Sequence, residues 1–144
     1  DYAWRKLFGP LGMDSAEWVK IVVSEEVTNY RRIESNTRDM ARFGLFNLRR
    51  GVWNNERLVS EEYFEKATSA YLESKSDYGF LYWLQEVDTE AMGTLSVLSA
   101  IGKDQKVIMA IPELDLVIVR HGDTAGMGFT GQFTKLVADA FAQQ

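Results

Sequence analysis

Beyond residue 95 the apolar positions fall into a period of two. Val107, Met109 and Ile111 alternate with Ile108 and Ala110, and Leu114, Leu116 and Ile118 alternate with Asp115, Val117 and Val119. Ser96 to Gly122 therefore predicts three strands in series. A Gly102-Lys103-Asp104-Gln105 turn and a Pro112-Glu113-Leu114-Asp115 corner join them. The last strand is apolar on both faces, which predicts a central position or cover on both sides. Upstream, Tyr78 to Val87 alternates as a strand, with Phe80, Tyr82 and Leu84 on one face and Leu81 and Trp83 on the other. Asp88 to Gly93 reads as a polar connection.

Other segments follow the helical period. Tyr2 to Phe8 places Trp4, Leu7 and Phe8 on one face, and Gly9-Pro10 is expected to stop that helix. Leu11-Gly12-Met13 is a tight apolar knot, and Asp14-Ser15 can start a short turn that includes Trp18. Val19 to Val23 is β-branched enough for a short strand, and the polar residues up to Asn36 show no period. Thr37 to Arg50 predicts a helix capped by Thr37, with Asp39 in its positive first turn and Gly51 in the left-handed position after its end. Met40, Phe43 and Gly44 share its face. A glycine inside a helix costs about 1 kcal/mol against alanine, so Gly44 predicts a close approach by another backbone. After a turn at Asn54-Asn55, Ser60 caps a helix with Tyr63, Phe64 and Ala67 turned inward. Gly122 to Gly131 is a glycine-rich, mobile-looking connection. Thr130 then caps a last helix with Phe133, Leu136, Val137, Ala140 and Phe141 on its apolar face. The order of helices, antiparallel strands and one helix predicts an α+β fold whose last helix covers one face of the sheet. The chain reads as one incomplete domain, mainly helical over 1–77, with the sheet and final helix over 78–144.

Composition narrows the chemistry. A chain of 144 residues can bury a core. Its formal charge of −5 argues against a phosphate-binding surface, so no nucleic acid is expected as a partner. The absence of Cys excludes disulfides, thiolate metal sites and Cys nucleophiles. No apolar run approaches the roughly 18 residues of a membrane span. Asp1 to Lys6 carries neither a start methionine nor a signal-peptide pattern, and a periplasmic or a cytoplasmic location both stay open.

Five segments, in order, resemble the C-terminal part of the β-lactamase-like serine hydrolases, which include penicillin-binding peptidases, class C β-lactamases, esterases and amide hydrolases. They are Leu7-Phe8-Gly9-Pro10-Leu11-Gly12-Met13, Thr37-Arg38-Asp39-Met40-Ala41-Arg42-Phe43-Gly44, Gly51-Val52-Trp53 through Leu58-Val59-Ser60, Tyr78-Gly79-Phe80-Leu81-Tyr82-Trp83, and Ala100-Ile101-Gly102 with Pro112-Glu113-Leu114-Asp115-Leu116-Val117. The resemblance implies the C-terminal portion of the β-lactamase/transpeptidase-like fold. It implies cleavage of a small ester or amide by serine acylation and deacylation, without a cofactor or a metal. The family's Ser-x-x-Lys and Tyr-x-Asn or Tyr-x-Ser motifs are absent from this sequence and belong upstream of the Leu7 segment. The chain thus reads as a C-terminal portion that is inactive alone. The family's third motif falls on Ala100, Ile101 and Gly102, which implies substrate contact there. The Lys103 backbone N–H then implies one donor of an oxyanion hole, a role worth roughly 3–4 kcal/mol in such sites. Ala100 brings no cation to this position, which weakens any expectation of carboxylate recognition. The family also implies that the missing N-terminal portion, or a second chain, pairs with the strand over 114–120.

Plainer readings stand beside these. Gly102 to Gln105 is equally consistent with an ordinary hairpin turn. His121 is the only histidine and reads as structural or solvent-facing. Glu25-Glu26 and Glu61-Glu62 read as solvated or helix-start carboxylates, the aromatic stretch 78–83 as core packing, and Asp39 with Arg38 or Arg42 as a cap network. A non-catalytic binding or scaffolding domain derived from the same fold is the alternative to the hydrolase.

Overall fold

A computed structural model describes residues 2–21, 30–72, 77–123, 126 and 128–141. Its centre is an antiparallel sheet in the order β5 (Trp83–Thr89), β6 (Gly93–Ile101), β7 (Val107–Ile111) and β8 (Leu116–Arg120). Short 3-10 turns at Lys103–Gln105 and Pro112–Leu114 join the last three strands where the turn residues predict them. Leu95, Val97, Val107, Met109, Ile111 and Ile118 point to one face, and Ala138 of α4 (Phe129–Phe141) closes this main core over them. On the other face α2 (Thr37–Leu48) lies across β7 and β8. The fold is α+β, with an antiparallel sheet and the C-terminal helix packed on it. β8 is covered on both faces, as its two-sided apolar pattern requires, yet it is an edge strand among the described residues.

α2 shows how local chemistry sets the boundaries. Its N-cap is Asn36, one residue before the expected Thr37, because the Asn36 side chain accepts from the Asp39 N–H at 2.8 Å. The helix ends in a left-handed residue, but Arg50 (φ 54°) takes the position expected for Gly51, which follows at φ 81°. The Gly51 N–H returns to the Phe46 carbonyl and the Arg50 N–H to that of Asn47, a Schellman closure. Gly44 is a close-approach glycine, but the approach comes from side chains and not from backbone. An added Cβ would stand 2.4 Å from Val117 Cγ1 and 3.0 Å from Ile108 Cγ2.

Pro10 does not stop the first helical segment. A π turn over Trp4–Phe8 leads into α1 (Gly9–Leu11), and the wider turn lets the Gly9 N–H reach the Trp4 carbonyl. This admits the proline ring without the clash it makes in a regular helix. Gly12, at φ 67°, ends the segment. Phe8, Leu11, Met13, Ala16 and Phe46 form a second core under α2. Trp18 lies in a strand, β1 (Glu17–Ile21), paired with β2 (Tyr30–Glu34), and not in a turn. The continuation of that strand to Val23 lies outside the described residues. Asn54 and Asn55 both take positive φ and form the two-residue turn of the hairpin β3 (Val52–Trp53) and β4 (Glu56–Arg57).

Three expectations about which residues face inward are corrected. In α3 (Glu61–Ala67), capped by Ser60, Phe64 and Ala67 are buried but Tyr63 is exposed. Tyr78 to Tyr82 is not strand. The Gly79 N–H bonds the Tyr82 carbonyl at 2.9 Å and closes a tight turn, with Leu81 at φ 65°. In α4, which starts at Phe129 and so precedes the expected cap, the inward stripe is Thr130, Thr134 and Ala138. Phe133 and Val137 flank it, while Leu136, Ala140 and Phe141 face solvent. The threonines can line a core because Thr134 turns its hydroxyl back to the Thr130 carbonyl at 2.7 Å.

Candidate functional site

The residues singled out in the sequence meet at one end of the sheet. Ala100 and Ile101 close β6, and Gly102 follows in extended backbone at φ −106°, ψ −174°. Ala100 is half-buried on the α2 face opposite Ile108, whereas the Ile101 side chain packs into the core under α4. Ile101 therefore offers only its backbone to the surface. Gly102 is exposed. Nothing in the fold demands a glycine there, because its φ suits any residue and an added Cβ would meet only the Lys106 carbonyl at 3.7 Å.

The backbone at this end is partly open. The Gly102 N–H is committed to the Lys106 carbonyl at 2.8 Å, on the β7 side. Backbone groups alternate sides along an antiparallel strand, so those of Ile101 point the opposite way. On that side the pairing of β5 stops at Trp83, opposite Ser99. Lys103 opens the turn, and no described residue accepts its N–H. The result is a short open strand edge from Ile101 to Lys103, beside a glycine with free space.

The turn that follows is held firmly. Asp104 and Gln105 both adopt positive φ, at 62° and 56°, an arrangement that needs support in residues other than glycine. Arg120, at the end of β8, supplies it. Its Nη1 donates to the carbonyls of Asp104 at 3.1 Å and Gln105 at 2.8 Å, its Nη2 donates to that of Asp123, and its guanidinium lies 4.7 Å from the centre of the Phe129 ring. Thr130 adds a hydroxyl bond to the Gln105 side chain. Gly102 to Gln105 is thus a hairpin turn, as the plainer reading has it, and the open edge lies at its start. Sequence reasoning missed Arg120, whose only signal was a cation ending an otherwise apolar strand.

Other candidates have structural surroundings. Ser99, next to Ala100, is fully buried on the α4 face, and its hydroxyl finds no partner there. It faces away from the open edge. His121 is half-buried with Nε2 against Met40 Sδ. Asp39 is 1% exposed and accepts from the Ser15 amide, the Ser15 hydroxyl and Arg42 at 2.6–2.8 Å. Burial disfavours its charge, but the Ser15 and Arg42 donors outweigh that and hold its carboxyl below the usual carboxylate range. This is the expected cap network, extended to the 14–15 turn. Burial, with a smaller push from Tyr63, raises the Tyr82 hydroxyl to about 12 against its bond to Asn47. Glu62 pairs with Lys66 on an exposed helix face, and Glu25-Glu26 lies outside the described residues. Among the described residues, no cluster of His, Asp or Glu is arranged to hold a metal ion, and no helix is long and apolar enough to cross a membrane. No protein-family model matches the chain, and no curated protein matches it.

Proposed function

We propose that this chain is the C-terminal portion of a β-lactamase-like serine hydrolase that cleaves a small ester or amide. Its contribution is the open edge of β6, with the Lys103 N–H as one oxyanion donor and Gly102 leaving room for the acyl group. The observation that carries this reading is the glycine itself. Gly102 is extended, exposed and uncrowded, so it leaves open space beside backbone groups left unpaired, which is what an acyl group lying along the strand needs. The nucleophile, its lysine and the tyrosine come from the portion upstream of Leu7.

The upstream coding frame is the first test. It carries a Ser-x-x-Lys followed by a Tyr-x-Asn or Tyr-x-Ser under this proposal, and a frame without them leaves the non-catalytic binding domain as the reading. The isolated chain releases no nitrophenol from p-nitrophenyl butyrate and opens no chromogenic cephalosporin; serine-type turnover by it alone would refute the fragment assignment. In the whole gene product, Gly102→Val lowers kcat/KM by about 100-fold or more, the scale of losing an oxyanion contact, with the thermal unfolding midpoint kept.

A further inference from the structure

A second site lies toward the other end of β6, apart from the open edge. α2, α3 and the outer face of β5, β6 and β7 border a cleft of about 710 Å³ that is half open to solvent, a size common for small-molecule sites. Leu84, Leu98 and Ala110 contribute an apolar floor. Asn47 borders it and is only 5% exposed. Its Oδ1 accepts the Tyr82 hydroxyl at 3.0 Å, whereas no described residue accepts from its Nδ2 amide. Asn47 Nδ2 is not among the buried atoms left without a partner, so it reaches solvent at the cleft wall and offers two N–H groups to an acceptor that can replace water there. Asp77 and Glu86 stand at the exposed mouth, and neither has an ion-pair partner among the described residues. Among the described lining residues the one cation, Arg50, already holds Glu65 at 3.1 Å and lies over the Phe64 ring. Among the described residues the uncompensated charge at the mouth is therefore negative.

We propose that this cleft binds a small α-amino amide, the chemistry of a peptide amino terminus with an apolar side chain. The carbonyl oxygen accepts from Asn47 Nδ2, the ammonium sits between Asp77 and Glu86, and the side chain lies on Leu84, Leu98 and Ala110. A free amino acid is disfavoured, because its carboxylate, in place of the neutral carbonyl at Asn47, brings a negative charge near the two acidic residues.

Titration of the isotope-labelled chain with L-leucinamide, followed by amide NMR shifts, tests the assignment. Saturable shifts are expected at Asn47, Leu84, Glu86 and Leu98. Isocaproamide, which lacks the ammonium, isoamylamine, which lacks the carbonyl, and leucine each bind about tenfold more weakly or worse, the scale of one charge-assisted hydrogen bond. Glu86→Gln, at an exposed position, weakens leucinamide about fivefold and leaves isocaproamide unchanged. Asn47→Leu abolishes the preference for leucinamide over isoamylamine; if that variant does not fold, the probe series and Glu86→Gln decide alone. Absence of saturable shifts in the folded chain overturns the proposal. So does equal binding of leucinamide and isocaproamide, or shifts centred on Ile101–Lys103.

Discussion

Asp39 is buried under three donors that stabilise its charge, and this makes folding sensitive to acid. Its folded pKa lies below the unfolded value. Its contribution is therefore present at neutral pH and is lost as pH falls through the carboxylate range. Asp39→Asn lowers stability near pH 7 by about 1–3 kcal/mol and flattens the decline below roughly pH 4, as measured by urea unfolding across pH. Leu81 carries the opposite kind of tension. It is 81% exposed and sits at φ 65° in the turn position that glycine fills without strain. Leu81→Gly is expected to stabilise the chain by roughly 0.5–1 kcal/mol, because relief of about 1–2 kcal/mol of backbone strain exceeds the added freedom of the unfolded chain. A lower midpoint in urea would contradict this. Asp39 was legible because an acidic residue in a first helical turn has a local cause. The left-handed Leu81 was not, because alternation of apolar and polar residues carries no information about the sign of φ.

Helix α2 and the strands under it are fitted at Gly44. Alanine there gains about 1 kcal/mol of helix propensity but places a methyl inside contact distance of Val117 and Ile108. Overpacking of this kind costs about 1–3 kcal/mol. Gly44→Ala is accordingly destabilising by about 1 kcal/mol, while Ala41→Gly, one turn away on a half-buried position, loses only propensity; paired urea titrations separate the two. The strands after residue 95 were readable because a two-residue period, a Gly-Lys-Asp-Gln turn and a Pro corner all agree. The inward face of α4 was not. Two threonines satisfied by a turn-back hydroxyl bond and by Gln105 displace the more apolar Leu136 and Phe141 from the core. Hydropathy alone ranks those residues the other way. The open edge was legible only in part: Gly102 stood out, but Arg120, which acts through backbone carbonyls, leaves no motif.

β8 gives the molecule an apolar edge, and such an edge recruits another strand. We expect the isolated chain to self-associate, or to pair with the upstream portion when both are present. Light scattering coupled to size exclusion measures this, and a monodisperse monomer at high micromolar concentration would count against it. Val119→Pro, which blocks pairing, shifts the population toward monomer. Arg120 gives this pairing a wider effect. It belongs to β8, yet its guanidinium grips the carbonyls of Asp104 and Gln105 and rests on Phe129. A strand docked on β8 therefore acts as a clamp at a distance: it fixes the root of Arg120, and through that one side chain it stiffens the turn beside Gly102. Amide exchange at Lys103 to Lys106 then slows together with exchange along β8, although the incoming strand touches none of those four residues.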